Sequence, residues 1–90
     1  MFIKKLEWDE YRINHILRHD VEPEEVWDVC NDPLHLARRQ GHSRYLVYGR
    51  TVAGRYLFVV LEHGENMAYK PITARDMTHR EKQNFRRLRR

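Results

Sequence analysis

Cysteine is nearly absent from this chain of 90 residues, in which Cys30 is the only one. A single cysteine cannot form a disulfide within the chain, so a small secreted scaffold held by disulfides is excluded. A lone thiol suits a reducing compartment, and we expect the protein in the cytoplasm. Glycine and proline are also scarce, and no Gly/Ser-rich or repetitive stretch interrupts the sequence. We therefore predict one domain over residues 1–90.

Long apolar segments are missing as well. The longest apolar run, Tyr56 to Leu61, is much shorter than the about 20 residues that a membrane helix needs. The N-terminal sequence MFIKKLEW has a basic pair, but it has no apolar segment of the kind found in signal peptides. We expect a soluble protein that does not use a membrane.

The sequence also lacks the common cofactor and hydrolase motifs, since GxGxxG, the P-loop and GxSxG do not occur. Nucleotide cofactors and serine hydrolysis are therefore not supported. His15 and His19 are one helical turn apart, a spacing that can ligate a metal. No H-E-x-x-H or zinc-ribbon pattern completes such a site, so we expect neither a metal nor a cofactor.

Charge, by contrast, is plentiful and unevenly distributed. The formal net charge is +4, yet the range from Asp20 to Asp32 contains six acidic residues and no Lys or Arg. The chain after Arg75 is strongly basic, with Arg80, Lys82, Arg86, Arg87, Arg89 and Arg90. Such a tail predicts a positive field and an anionic partner. A solvated helix face or a frayed tail would explain the basic run equally well.

Two helices are predicted before residue 33. Asp9 is a suitable N-cap for a helix that runs to about Arg18. Pro23 suits the first position of a second helix, which should end before Pro33. Beyond that proline, the sequence changes from a helical period to short runs rich in β-branched and aromatic residues.

Four strands are predicted in this second part, over Leu34 to Arg38, Arg44 to Thr51, Arg55 to Glu62 and Met67 to Ala74. The turn sequences TVAG and HGEN favour an antiparallel arrangement with YLFVVL at its buried centre. Pro71 cannot donate a hydrogen bond, which predicts an edge position or a bulge. Thr78 and Glu81 form a T-x-x-E capping box that begins a last helix. The predicted fold is α+β, with two N-terminal helices, a four-stranded antiparallel sheet and a C-terminal helix.

Several short sequences follow one another in a recognisable order. They are Trp8-Asp9, Arg18-His19 before E-E-V, Gly49-Arg50-Thr51, Gly54-Arg55-Tyr56-Leu57-Phe58-Val59-Val60 and Ile72-Thr73-Ala74-Arg75. This order resembles the BrnT family of toxins over nearly the whole chain. The resemblance implies a RelE-like fold, an endoribonuclease activity within a type II toxin–antitoxin system, and a BrnA-like ribbon-helix-helix antitoxin as partner. Two departures are Phe85, where many members have Tyr, and Asp20, where many have Gly.

Arginine suits metal-free RNA cleavage, in which the 2′-hydroxyl attacks its own phosphate and negative charge builds up. A guanidinium stays charged and binds two phosphate oxygens at once. With the resemblance, this chemistry predicts a catalytic group of Arg44, Arg50, Arg75 and Glu81. Arg75 is the expected phosphate anchor, although it could instead form an ion pair with Glu81 or Glu62. Glu81 is a candidate base, although the capping box alone would explain this residue.

A second group is predicted to bind RNA around the catalytic residues, namely Arg55, Lys70, His79 and Arg80. Each of them could instead be an ordinary solvated or turn residue. If the last strand alternates regularly, Lys70 and Ala74 lie on one face of the sheet and Pro71 and Arg75 on the other.

Two classes of function therefore stay open. The first is a metal-independent endoribonuclease toxin that inhibits translation or growth, with RNA and a ribbon-helix-helix antitoxin as partners. The second is a non-catalytic RNA-binding or regulatory subunit of a toxin–antitoxin-like complex. Tyrosines interleaved with the basic residues could stack on bases in either case, or could simply pack in the sheet.

Overall fold

A computed structural model describes residues 1–89, so Arg90, the last residue of the predicted basic tail, lies outside the described residues. The elements along the chain are β1 (Lys5–Leu6), α1 (Glu10–Leu17), α2 (Pro23–Asn31), β2 (Leu36–Gln40), β3 (Arg44–Arg50), β4 (Tyr56–His63), β5 (Ala68–Asp76) and α3 (His79–Leu88). The predicted α+β class and the three predicted helices are confirmed.

The sheet has five strands in the order β1-β5-β4-β3-β2. Strands β2 to β5 are antiparallel to their neighbours, whereas β1 runs parallel to β5 and places Lys5 beside Ala68 and Leu6 beside Tyr69. The prediction of a purely antiparallel, four-stranded sheet is therefore wrong at this edge. A strand of two residues is too short to show an alternation of apolar and polar side chains, so β1 can be recognised only from its pairing with β5.

The first predicted strand begins two residues later than expected. Asp32 causes this delay, because its side chain accepts a hydrogen bond from the Leu34 N–H at 3.0 Å and its carbonyl accepts one from the His35 N–H at 3.0 Å. These bonds form a turn after α2, and the strand follows the turn. At the other end of the sheet, β5 continues to Asp76, so Arg75 lies inside the strand.

Strand β5 does not alternate regularly. The register with β4 shifts between Val60 and Leu61, and Leu61 pairs with Pro71. An edge position or a bulge was predicted at Pro71, and this irregularity confirms the bulge. The regular alternation that would put Pro71 and Ala74 on opposite faces is therefore not present, and the two residues pair with the core residues Leu61 and Val59 and are both buried. An extra residue in one strand reverses the faces of the residues that follow it.

Helices α1 and α2 cover one face of the sheet and form the apolar core with it. Gly49 allows α2 to approach β3 closely, because a Cβ at this position would lie 2.8 Å from Val29 Cγ1. Cys30 lies in the same core, where burial raises the pKa of its thiol to about 12. Within residues 1–89, no helix has the length and the apolar composition needed to cross a membrane.

The predicted caps of α1 and α3 are confirmed. The Asp9 carboxylate accepts a hydrogen bond from the Arg12 N–H at 2.7 Å. The Thr78 hydroxyl accepts one from the Glu81 N–H at 3.1 Å, and the Glu81 carboxylate accepts one from the Thr78 N–H at 2.8 Å. These bonds satisfy backbone donors that a helix start leaves unpaired.

Candidate active site

The outer face of the sheet is the side opposite α1 and α2. Because side chains alternate along a strand, Tyr48, Tyr56 and Phe58 point to this face from positions between the buried core residues. Helix α3 lies against it through Phe85, which is 1% exposed and whose ring meets that of Tyr56 edge to face at 5.9 Å. Arg75 is directly opposite Phe58 in the sheet. The outer face and α3 together hold most of the predicted site residues.

Arg75 forms a two-point ion pair with Glu81, the first feature of this site. Its Nη1 donates to Oε1 at 2.8 Å and its Nη2 donates to Oε2 at 3.1 Å. The guanidinium lies over the Phe58 ring, with Cζ 4.4 Å from the centroid. The hydrogen bond from Arg75 is the main cause that lowers the pKa of Glu81, and the same bond raises the pKa of Arg75. The fork of Arg75 is thus held in one orientation on the outer face.

Tyr56, which sequence reasoning treated as one of several packing or stacking tyrosines, is surrounded by three cations. Arg50 lies directly opposite it on β3, with Cζ 5.8 Å from the ring centroid. From α3, Lys82 Nζ lies 5.2 Å and Arg86 Cζ lies 5.0 Å from the same centroid. Arg86 Nε also donates a hydrogen bond to the Tyr56 hydroxyl at 3.3 Å. This bond is the main cause that lowers the pKa of Tyr56.

The sequence did contain a signal for this cluster. Arg50 and Tyr56 flank the predicted TVAG turn, so a hairpin places them side by side. Lys82 and Arg86 are four residues apart in the predicted last helix, which places them on one helix face. The sequence alone does not show that this face of the helix lies over this hairpin.

Arg44 and Lys70 lie at the other end of the outer face. Both are opposite Glu62 in the sheet, and Arg44 Nε lies 3.5 Å from the Glu62 carboxylate. Tyr48, Phe58 and Arg75 lie side by side across three neighbouring strands and form one row. Arg44 is four residues from Tyr48 along β3, and four residues of a strand span about 13 Å. Arg50 lies two residues along β3 from the row that contains Arg75, whereas Arg44 and Lys70 form a separate group beside Glu62.

Arg55, which directly precedes the central strand β4, is held by acidic groups. Its guanidinium contacts Glu25 at 3.0 Å and Asp76 at 2.8 Å, and it also donates to the Asp20 carbonyl. The Asp76 hydrogen bond is the main cause that raises the pKa of Arg55. These contacts connect the start of α2 to β5. Asp20 itself has φ +58°, a left-handed backbone conformation that glycine adopts more readily than other residues.

His79 and Arg80 occupy the first turn of α3, where both side chains are exposed. A groove of about 400 Å³ runs beside them, between α3 and β2, lined by Tyr48, Glu81 and Phe85 among others. On the helix side of the sheet, His15 lies 3.2 Å from the Thr73 hydroxyl. Across the described part of the chain, no three His, Cys, Asp or Glu side chains are grouped in a way that could hold a metal ion.

Comparison with known proteins gives two positive findings. Residues 8–81 match the family described as "Ribonuclease toxin, BrnT, of type II toxin-antitoxin system". The chain is also similar in three dimensions to the crystal structure of the ribonuclease toxin BrnT from Brucella abortus, with a TM-score of 0.66 over 83% of this chain and 97% of that one. Sequence identity to that structure is 15%, so this likeness concerns the fold alone. No curated protein matches the sequence.

Proposed function

This chain belongs to the BrnT family of ribonuclease toxins of type II toxin–antitoxin systems, and on that premise we propose that it cleaves RNA without a metal ion, by attack of a 2′-hydroxyl on the adjacent phosphate. One observation carries the proposal. The guanidinium of Arg75 donates two N–H groups to the two carboxylate oxygens of Glu81 on the outer face, at 2.8 and 3.1 Å. A phosphodiester offers a similar pair of oxygens to the same fork.

Arg75 anchors the scissile phosphate in this proposal. The phosphate displaces the Glu81 carboxylate from the fork, and the Phe58 ring and the Asp76 carbonyl then continue to hold the guanidinium. As the 2′-oxygen attacks, phosphorus becomes five-coordinate and its oxygens gain negative charge, which a permanently charged guanidinium stabilises. The Phe58 ring beneath Arg75 limits the directions in which the guanidinium can point.

Glu81 acts as a positioning residue rather than as the base. Its two oxygens are occupied by Arg75 and by the Thr78 N–H. Its pKa is lowered, which makes the carboxylate a weaker proton acceptor. The capping box keeps this carboxylate beside Arg75, so the fork is already oriented when RNA arrives.

The other basic residues bind the neighbouring parts of the RNA strand. In this proposal Arg50 contributes charge from β3, and Arg44 and Lys70, which lie at the far end of the face, contact a more distant phosphate. His79 and Arg80 lie at the N-terminus of α3, where backbone N–H groups also favour anions. Arg55 supports the site indirectly, because its ion pair with Asp76 fixes the residue next to Arg75 on β5.

The test is cleavage of a synthetic RNA in the presence of a chelator, together with growth of a bacterial host after induced expression. Arg75→Ala and Arg75→Lys should both lose cleavage and toxicity, because a lysine supplies a point charge and no fork. Arg18→Ala removes the same charge from the opposite side of the sheet and should leave both readouts unchanged. If the Arg75 variants fold and still cleave, the proposed anchor is wrong. If the unaltered protein binds RNA without cleaving it, the regulatory-subunit class applies instead.

We further propose that the antitoxin is a ribbon-helix-helix protein that covers the outer face and blocks Arg44, Arg50 and Arg75. A basic face suits an acidic or amphipathic segment, and a dimeric antitoxin would carry two toxins symmetrically. Co-purification with the product of the neighbouring gene, followed by chemical footprinting of arginines, tests this arrangement. Unchanged reactivity of the three arginines in an inactive complex would mean that inhibition acts elsewhere.

A further inference from the structure

The cluster around Tyr56 requires a physical explanation beyond packing. Arg50, Lys82 and Arg86 all lie within 5.8 Å of the Tyr56 ring centroid, and three like charges gathered around one ring repel one another. Lys82 and Arg86 are also four residues apart on one helix, a spacing at which like charges are unfavourable. An anion placed among the three side chains offsets this repulsion. The phenolate form of Tyr56 itself would be such an anion.

The position of Tyr56 relative to Arg75 indicates what the cluster does. Tyr56 and Phe58 are two residues apart on β4, so their side chains leave the same face about 7 Å apart. Arg75 lies over Phe58 and is the proposed anchor of the scissile phosphate. Tyr56 is therefore the neighbour, on the same face of β4, of the residue that lies beneath the proposed anchor, and Arg86 donates a hydrogen bond to the Tyr56 hydroxyl.

We propose that Tyr56 is the general acid of RNA cleavage and protonates the departing 5′-oxygen. This inference rests on the proposed function, since it assigns a residue to that same reaction. The phenolate formed on Tyr56 is stabilised by the hydrogen bond from Arg86 and by the charges of Arg50 and Lys82. The lowered pKa of Tyr56 agrees with this arrangement.

The step balances as follows. The 2′-oxygen gives its proton to a solvent water and forms a bond to phosphorus. The bond between phosphorus and the 5′-oxygen breaks, its electron pair stays on the 5′-oxygen, and that oxygen takes the proton of Tyr56. The products are a 2′,3′-cyclic phosphate and a 5′-hydroxyl, and the Tyr56 phenolate then regains a proton from water.

The charged groups that face Tyr56 come from two elements, Arg50 from β3 and Lys82 and Arg86 from α3. From the β5 side, the Met77 N–H donates to the Tyr56 carbonyl, and the nearby carboxylate of Asp76 is bound by Arg55. His79, which was predicted to bind RNA, is exposed at the start of α3.

The experiment compares two substrates. The cleaved linkage is first mapped on an ordinary RNA, and a second RNA then carries sulfur in place of the 5′-oxygen at that linkage. A thiolate leaves without being protonated, so the sulfur substrate does not need a general acid. Tyr56→Phe keeps the ring that contacts Phe85 and removes only the hydroxyl. Tyr11→Phe, at a residue 74% exposed on α1, is the matched control.

We expect Tyr56→Phe to cleave ordinary RNA at least about 100-fold more slowly than the unaltered protein, and to cleave the sulfur substrate at nearly the unaltered rate. With ordinary RNA, the rate of the unaltered protein should fall at alkaline pH as Tyr56 loses its proton, and this fall should be absent with the sulfur substrate. Equal slowing on both substrates, or no slowing on ordinary RNA, overturns the role of Tyr56. If the unaltered protein cleaves neither RNA, the proposed function itself fails. Thermal unfolding of each variant verifies that it is folded.

Discussion

At the scale of single residues, Glu81 combines a structural and a functional contact. Its carboxylate accepts hydrogen bonds from the backbone of Thr78 and from both terminal nitrogens of Arg75. The capping box therefore connects the start of α3 to the proposed phosphate anchor on β5. A capping box usually stabilises only the start of its helix, whereas here the Glu81 carboxylate of the box also orients the guanidinium of Arg75.

The ionisation of the Glu81 carboxylate should contribute to the pH dependence of the free energy of unfolding. Because the folded protein lowers the pKa of Glu81, its contribution to stability is complete above the unfolded value of 4.5 and is lost as the pH falls through the folded value. We expect the free energy of unfolding to decrease as the pH falls below about 4.5, and to decrease less in Glu81→Gln. Urea denaturation at a series of pH values measures the free energy of unfolding of the unaltered protein and of the variant. Glu65→Gln, in an exposed turn, is the control, and identical decreases in all three proteins would contradict the prediction.

Gly49 is a second residue whose identity is set by its surroundings. A methyl group there would lie 2.8 Å from Val29 Cγ1 and 3.1 Å from the Val29 carbonyl oxygen, and the latter belongs to the backbone of α2. We expect Gly49→Ala to destabilise the protein by about 1–3 kcal/mol through overpacking. Val52→Ala, at a side chain 88% exposed, should change stability much less. Equal unfolding midpoints in urea for the two variants would show that α2 can move away at little cost.

At the scale of elements, α3 is held by one buried side chain, Phe85, and by several polar contacts. These include the Glu81 pair, the contacts of Lys82 and Arg86 with Tyr56, and an ion pair between Arg89 and the buried Asp32 at 3.3 Å. A helix held mainly by polar contacts opens at lower cost than one buried in the core. Its first turn nevertheless carries the groups that orient Arg75.

Removal of the α3 cap should therefore affect activity more than stability. Thr78→Ala removes the hydroxyl that accepts the Glu81 N–H, which costs about 1 kcal/mol and loosens the first turn. We expect RNA cleavage to decrease severalfold while the protein stays folded. Thr78→Ser keeps the hydroxyl and should keep both properties. RNA cleavage by Thr78→Ala at the unaltered rate would mean that the cap does not position Glu81.

At the scale of the whole molecule, charge is separated between the two sides of the sheet. The acidic side chains of α2 lie on the helix side, whereas Arg50, Arg75 and the cations of α3 lie on or beside the outer face. Such a separation orients the molecule toward a polyanion and speeds its encounter with RNA. The net charge of +4 understates the local field, because opposite charges on the two sides cancel in the sum.

RNA affinity should depend steeply on salt concentration. Each phosphate contact releases counterions, so the logarithm of the association constant should fall linearly with the logarithm of the salt concentration. We expect Arg80→Ala to reduce the magnitude of this slope by about 0.7, the value for one contact to a single strand. Fluorescence anisotropy with a 2′-deoxy analogue that cannot be cleaved measures the slope. Glu24→Gln, on the opposite side of the sheet, should leave it unchanged, and an equal slope for Arg80→Ala would exclude a phosphate contact at that residue.

The sequence by itself determined the features that depend on neighbouring residues. The caps at Asp9 and Thr78, the start of α2 at Pro23 and the hairpin between β3 and β4 were all predicted. Each depends on hydrogen bonds, backbone angles or alternation within a few positions of the chain, and such preferences act before any tertiary contact forms. Family membership was also predicted, because the order of short sequences is a property of the chain.

Only the tertiary structure decided which distant side chains meet. The parallel pairing of β1 with β5 joins residues more than sixty positions apart, and the bulge in β5 decided which residues of that strand face the core. Arg55 and Arg50 look alike in the sequence, yet one is bound by acidic groups and the other lies beside Tyr56. A shift of one residue in strand register reverses every side chain, so these encounters depend on the register and on where α3 packs.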